Sequence, residues 1–375
     1  LMHIHGRGDG FVARSYLCPD EPVPDDGLFF RKEGRKAICL DTSYSREHNM
    51  VGLEIDAHAP VPDRLAKLYR DLGYSDDGIV YKADTSSDEI THHFLHLIVA
   101  HDILGGVDKE LDDLIKLTAK ELMEHIINNG YELCDCLGVA TTWAKWSTRY
   151  FNTDFGYVDA CLNSAEVLMY LKATMHILGE KGKWQKAYEE LIEKGYADAC
   201  AKHYDRLFQA GMSMGFEPYE DIMYGDHMLC VLSFWGLCML EKDETLLEKY
   251  RAGFKSWRTS LEREHNPAYD IPFALSCPDE EIDVEQMAMW LYRMNVSRLA
   301  SGVNTTARHD TPVIELMAGH KEISWLLPND ERFISKYDRN PFDFKNVDSG
   351  GTEYVESCYV YTFAYWLGRY YGFFK

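Results

Sequence analysis

From residue 86 onward the apolar positions of the chain fall into paired blocks of helical length. The first block of each pair is apolar around most of its circumference, as a helix buried on all sides must be. The second has an i, i+3/i+4 apolar stripe opposed by a charged face, as an outer helix has. SSDEITHHFLHLIVAHDIL (86–104) precedes VDKELDDLIKLTAKELMEHIINNG (107–130), and NSAEVLMYLKATMHILGE (163–180) precedes KWQKAYEELIEKGY (183–196). GDHMLCVLSFWGLCMLE (225–241) precedes DETLLEKYRAGFKSWRTSLERE (243–264), a shorter pair is expected at 267–275 and 279–298, and a last helix at 353–374. Inner–outer hairpins repeating at roughly 65 residues predict an all-α chain, an (α/α)6-type toroid of two concentric helical rings.

Residues 1–60 lack helical periodicity and are broken by Gly and Pro, so they read as an irregular N-terminal arm with a short strand at GRKAICL. Residues 61–375 would form the toroid as one unit. Connections within a hairpin are a few residues long, whereas 131–162, 197–224 and 299–352 are long. Each long loop leads into an inner helix, so all should crowd one face, where a site is expected.

That face collects the polar residues of interest. In KADTSSDEITHHF (82–94), Ser86 and Glu89 match a capping box, which leaves Asp84, Asp88, His92 and His93 to explain. Asp88 and His92 are i, i+4 neighbours, so they make either a general acid/base unit or a satisfied core pair. In ATTWAKWSTRYF (140–151), Trp143, Trp146, Lys145 and Arg149 offer aromatic platforms beside cationic donors, or a loop pinned by its tryptophans. Asn163 or Ser164 should cap the second inner helix, with Glu166 in its first turn. Asp226 and His227 start the third beneath Tyr219, Glu220, Asp221 and Tyr224; Asp226 is either an N-cap or a second catalytic carboxylate. Asn266, Tyr269, Asp270, Arg308, His309, Asp310, Arg339, Asn340 and Glu353 share the same loops.

Charge and composition narrow the chemistry. The 375 residues carry 39 Lys and Arg against 61 Asp and Glu, a net charge of −22, with no basic run, which excludes a nucleic-acid partner and mildly favours neutral or cationic ligands. No apolar run is long enough to span a membrane, and no signal peptide opens the chain; LMHIHGRGDG reads as a cloning remnant or a trimmed start. Ten scattered cysteines, several inside apolar runs, point to reduced thiols and a cytoplasmic setting. Nucleotide-binding glycine loops, the nucleophile elbow and H-E-x-x-H are all absent. Adjacent His92 and His93 make a poor chelate, and Asp226, His227 and Cys230 lack further ligands, so neither a metal nor a cofactor is expected. Nothing in the pattern indicates an oligomeric state.

The segments GFVARSY, KADTSSDEITHHF, TTWAKWS, LNSAEVLMYLKATMHILG, EREHNPAYDIPFA, YDRNPF and YWLGRYYGFF, in that order, resemble a largely uncharacterised bacterial family of six-hairpin glycosidase-type proteins. The resemblance runs from about residue 10 to 374. The family pattern has Gly where Ala83 stands and an Asn/Ser-rich stretch where YGDHML stands. It implies the toroid and an association with carbohydrate, and such enzymes place their site at the N-terminal ends of the inner helices.

The leading expectation is a glycoside hydrolase, with Asp88 and Asp226 as the acid/base pair and His92 tuning the first. Trp143 and Trp146 would stack an oligo- or polysaccharide. Arg149 and Tyr224 would bind hydroxyls, with Asp84, His93, Asn163, Asp270 and Arg308 as further contacts. The alternatives are a uronic-acid lyase or epimerase, with a Tyr or His base and Arg149, Arg308 or Lys145 on the carboxylate, and a non-catalytic glycan-binding protein.

Overall fold

The computed structural model describes residues 1–17, 21–75, 77–201, 224–259, 262–294, 305–306, 308–315, 321–323, 327–332, 344 and 358–375. The chain divides into two compact units: Leu1–Tyr157 with Val167–Leu191, and Val158–Glu166 with Ile192–Lys375.

In the first unit, stretches without helical periodicity form β-structure. Strands β1 (Tyr16–Leu17), β2 (Phe29–Glu33), β3 (Lys36–Cys39), β4 (Glu54–Asp56) and β5 (Val80–Lys82) pair antiparallel in the order β1-β5-β2-β3-β4. The Gly and Pro residues that suggested an irregular arm punctuate the turns between these strands. The strand expected at GRKAICL is β3. This sheet, with the hairpin β6 (Glu132–Cys134) and β7 (Ala140–Lys145) and the second unit's pair β8 (Val313–Glu315) and β9 (Lys321–Ile323), overturns the all-α toroid. The fold mixes α and β.

The sheet closes over Phe11, Ala13, Phe30, Ala37, Cys39, Tyr81 and Ala83. Tyr81 stacks with Phe30 at 6.0 Å and lies 5.3 Å from the His5 ring, which burial drives down to about 3, so the imidazole stays neutral there. LMHIHGRGDG is thus part of the fold and no appendage: Met2, Ile4 and His5 are buried, and the His125 ring bonds the Asp9 carbonyl at 2.9 Å.

Helices α1 (Ser43–Glu47) and α2 (Asp63–Asp71) lie among the strands. Helix α3 (Ser87–Leu104) and α4 (Lys109–Asn128) are the first expected hairpin. A four-residue α5 (Thr148–Phe151) leads to α6 (Asp154–Leu178) and α7 (Gly182–Glu193). Helix α6 begins nine residues before the expected start at Asn163, because Thr153 caps it through the Gly156 N–H at 3.0 Å. Asn163, Ser164 and Glu166 are then interior helical positions and not caps, all buried.

The second unit continues with α8 (Tyr196–Cys200), α9 (Tyr224–Leu240), α10 (Glu244–Arg258), α11 (Pro267–Ser276), α12 (Val284–Tyr292) and α13 (Tyr359–Tyr370). Helix α9 is apolar all round and α10 amphipathic, with Leu247, Tyr250, Phe254 and Trp257 buried, as the pattern requires. Helix α10 stops at Arg258, short of the expected 264, and α12 at Tyr292. The expected segments 295–298 and 353–357 lie outside the described residues. No helix among the described residues is long and apolar enough to cross a membrane.

The N-terminal segment is held by one close approach. Gly10 has φ +79°, and a Cβ there would stand 2.2 Å from the Glu121 carbonyl oxygen of α4. Gly10→Ala should lower stability by about 2–4 kcal/mol, from clash and left-handed strain together. Urea unfolding checks this; a change under about 0.5 kcal/mol would mean the segment does not depend on that contact.

Candidate functional site

The start of α3 is a capping box, as its residues suggested. The Ser86 N–H donates to Glu89 Oε2 at 2.9 Å, and the Ser86 hydroxyl to the same oxygen at 2.7 Å. Arg14 adds ion pairs to Asp84 at 3.1 Å and Glu89 at 3.3 Å. Asp88 is exposed; the protein around its carboxyl raises its pKa, against the pull of the Ser86 hydroxyl 3.1 Å away, whose single proton is shared between Asp88 and Glu89. His92 bonds the Asp88 backbone carbonyl at 2.8 Å, so its Nδ1 carries the proton. His93 is driven down to about 4 by burial. Asp84, Asp88, His92 and His93 are therefore gathered on one helix start, with capping and ion pairing as their visible work.

The tryptophans separate. Trp143 is 64% exposed and Trp146 fully buried, its ring edge-on to Tyr170 at 5.4 Å. An interior ring offers no face to a sugar. Arg149 is exposed and donates to Glu132 at 2.8 Å. Asp88 belongs to the first unit, and Asp226, half-buried in the first turn of α9, to the second. In that second unit Asp226 and buried Glu166 both act electrostatically on the Cys230 thiol, and His227 stands edge-on to Trp257 at 4.8 Å. Arg308 makes a two-pronged bond to Asp310 at 2.6 and 2.7 Å and a third to Glu331 at 3.1 Å. The side chain of Tyr224, and Tyr219, Glu220, Asp221, Arg339, Asn340 and Glu353, lie outside the described residues.

Asp270 is where the strongest chemistry collects. Asn266 caps α11 by accepting the Ala268 N–H at 3.0 Å, and Pro267 occupies the first helical position, where its missing N–H costs nothing. This sets Asp270 in the first turn, 2% exposed. Arg258, the last residue of α10, donates to Asp270 Oδ1 at 3.3 Å and to Glu262 at 3.3 Å, and its guanidinium lies over the Phe273 ring at 4.4 Å. Burial outweighs this guanidinium and lifts the Asp270 carboxyl to about 6.

Between the two helices, Glu264 is buried with Arg332 at 3.3 Å, each 4% exposed; burial raises it too, against the pull of Arg332. His265 stands at φ +51°, a left-handed conformation that costs a side-chain-bearing residue about 1 kcal/mol or more. Asp270 Oδ2 and His265 Nδ1 are buried atoms with no hydrogen-bond partner among the described residues, whereas Glu264 also bonds Trp290 and Asn266. His265 is close enough to act electrostatically on Asp270. Strain, raised carboxyls and unmet polar atoms within one short segment are what functional sites show.

An open cavity of about 730 Å³ adjoins this cluster. Arg258, Glu262 and His265 form one side, and the segment 281–285 with Glu281, Asp283 and Glu285 the other. Asp270 stands behind Arg258 and does not line it. A cavity of similar volume in the first unit is lined by Arg7, Lys36 and β4, but there Arg7 is paired with Asp9 and Lys36 with Glu54. Of these, Arg258, Glu262, Glu264, His265 and Arg332 were not anticipated. For Glu262, Glu264 and His265 the available signal was the charged run EREHNPAYD; Arg258 and Arg332 lie outside it and had none. Among the described residues no group of three or more His, Cys, Asp or Glu side chains could hold a metal ion.

Compared with protein-family models, curated proteins and solved structures, the chain matches none of them.

The raised Asp270 carboxyl makes a signed prediction. Its proton is bound more tightly in the folded chain than in the unfolded one, whose carboxyl titrates near the ordinary 3.8. Stability contributed by this group is therefore fully present below about pH 4 and is lost as pH rises through about 6. Asp270→Asn removes the dependence, so its stability relative to the parent should improve by about 2–3 kcal/mol between pH 4 and pH 7. Urea unfolding at both pH values tests it; a difference that does not change with pH would place the carboxyl in the ordinary range.

Proposed function

We propose that the chain is a carbohydrate-active hydrolase that works at the cavity beside Arg258, Glu262 and His265. The observation that carries this reading is Asp270, a carboxyl held at about 6 immediately behind a cavity wall of ionisable groups. Glycoside hydrolysis needs a proton delivered to the leaving oxygen and a carboxylate to activate water or attack. Asp270 keeps its proton below about pH 6, so the acid form is available on the acidic side of neutrality. His265, on the wall with Nδ1 unmet, passes it to the substrate, and exposed Glu262 activates the water. Arg258 is positioned by both carboxylates and donates to sugar hydroxyls.

Charge decides between sugar classes. The wall carries Glu262, Glu281, Asp283 and Glu285 against Arg258, whose guanidinium already serves two carboxylates. A uronate would meet repulsion and, among the described residues of the wall, no cation that is not already paired, so elimination or epimerisation of uronic acids is the weaker reading. Neutral or amine-bearing sugars suit the wall. The motif resemblance to glycosidase-type proteins points to the same substrate class.

Mass spectrometry of products from a panel of neutral oligosaccharides tests the proposal. Wild type should give products whose summed mass exceeds the substrate by one water. Asp270→Asn, with circular dichroism unchanged, should lose about a hundredfold in turnover. In wild type kcat/KM should fall as pH rises through about 6, as Asp270 loses its proton, and this limb should vanish in the variant. Cleavage without added water would mean elimination. Binding with no turnover in either protein would mean a glycan-binding protein.

A further inference from the structure

Helix α12 leaves the cavity wall at Asp283, which caps it by accepting the Gln286 N–H at 3.0 Å. Its buried face is Met287, Trp290 and Leu291. On the opposite face Glu285, Met289 and Tyr292 follow at i, i+4 and i+7, so they form one stripe within about 60° of the helix circumference. Glu285 is itself a wall residue of the cavity. Met289 is 51% exposed and Tyr292 85%. Single exposed apolar side chains are ordinary on a helix surface; what sets this stripe apart is that it starts with a carboxylate on the cavity wall and ends in an aromatic ring.

We infer that this stripe is an extension of the binding site, and that Tyr292 stacks against a sugar ring of an oligosaccharide whose other end occupies the cavity. The inference rests on the hydrolase reading above and adds to it the class of substrate, a chain of several neutral sugars and not a mono- or disaccharide. Seven residues of helix span about 10 Å, the length of roughly two sugar rings end to end. A ligand leaving the cavity over Glu285 therefore reaches Tyr292 about two units further on. The ring supplies a flat apolar face for sugar C–H groups and a hydroxyl at its edge, and Met289 between them offers an adaptable apolar contact. An uncharged chain crosses the acidic rim without the repulsion a polyanion would meet.

The test uses cello- and malto-oligosaccharides of two to six units with the full chain, measuring binding by calorimetry and cleavage by product analysis. In wild type, affinity and kcat/KM should rise once the chain exceeds about three units, and Tyr292→Ala should reduce that gain about tenfold through KM, with Tyr292→Trp restoring it. Cleavage with no length preference, or a preference that Tyr292→Ala leaves intact, would overturn the extension and leave the hydrolase reading standing. Length-dependent binding lost in Tyr292→Ala, without cleavage by wild type, would support the extension and overturn the hydrolase. Neither binding nor cleavage in either series would overturn both.

Discussion

A carboxylate taken out of water must be answered by a cation, and in the second unit that requirement ties four separate segments together. Arg258 at the end of α10 answers Asp270 at the start of α11; Arg332, from the 327–332 segment, answers Glu264 in the turn between the helices. Burying either carboxylate alone would cost several kcal/mol, and so would removing either arginine. The two pairs therefore fix residues at both ends of the connection between α10 and α11. The left-handed His265 follows: the chain has to turn sharply between two fixed pairs.

Incomplete compensation is what gives this arrangement chemical potential. Asp270 has one oxygen paired and one without a partner among the described residues, and both carboxyls have their pKa raised, so burial prevails over the nearby guanidinium in each. A fully satisfied pair would be inert scaffolding. A carboxyl that keeps its proton up to about pH 6, with an imidazole beside it on a cavity wall, is instead placed to exchange that proton with whatever the cavity holds.

Much of the helical architecture was legible in the sequence and little of the β-structure was. Helices α3, α4, α9 and α10 each sustain their 3.6-residue pattern for four turns or more, enough to distinguish a buried helix from a half-buried one. The sheet strands are two to five residues long, too short for alternation to register, and in β2 the buried position Lys32 carries a charge, which hides the alternation of Phe30, Arg31, Lys32 and Glu33. The tryptophan pair shows what a strand assignment would have added. With a period of two, Ala144 and Trp146 share one face and Trp143 and Lys145 the other, and the first two are the buried ones. Asp270 was visible as a polar residue near a helix start, but its partner Arg258 and the second pair, Glu264 with Arg332, were not, because burial of charge is a tertiary property. Glu264 and His265 were hidden by an amphipathic pattern that ran past the true end of α10.

The strand order has a consequence for how the first unit is made. Strands β2, β3 and β4 are sequential neighbours and can pair as soon as they leave the ribosome, whereas β5 must insert between β1 and β2 from some fifty residues downstream of β2. Until residue 82 emerges, the nascent chain carries a three-strand meander whose β2 edge, with Phe29 and Phe30, stands open. An open apolar edge is a template for pairing with any other chain. Synthesis speed across residues 40–82, and chaperone access during it, thus bear on the yield of folded protein more than the strength of any contact in the finished sheet.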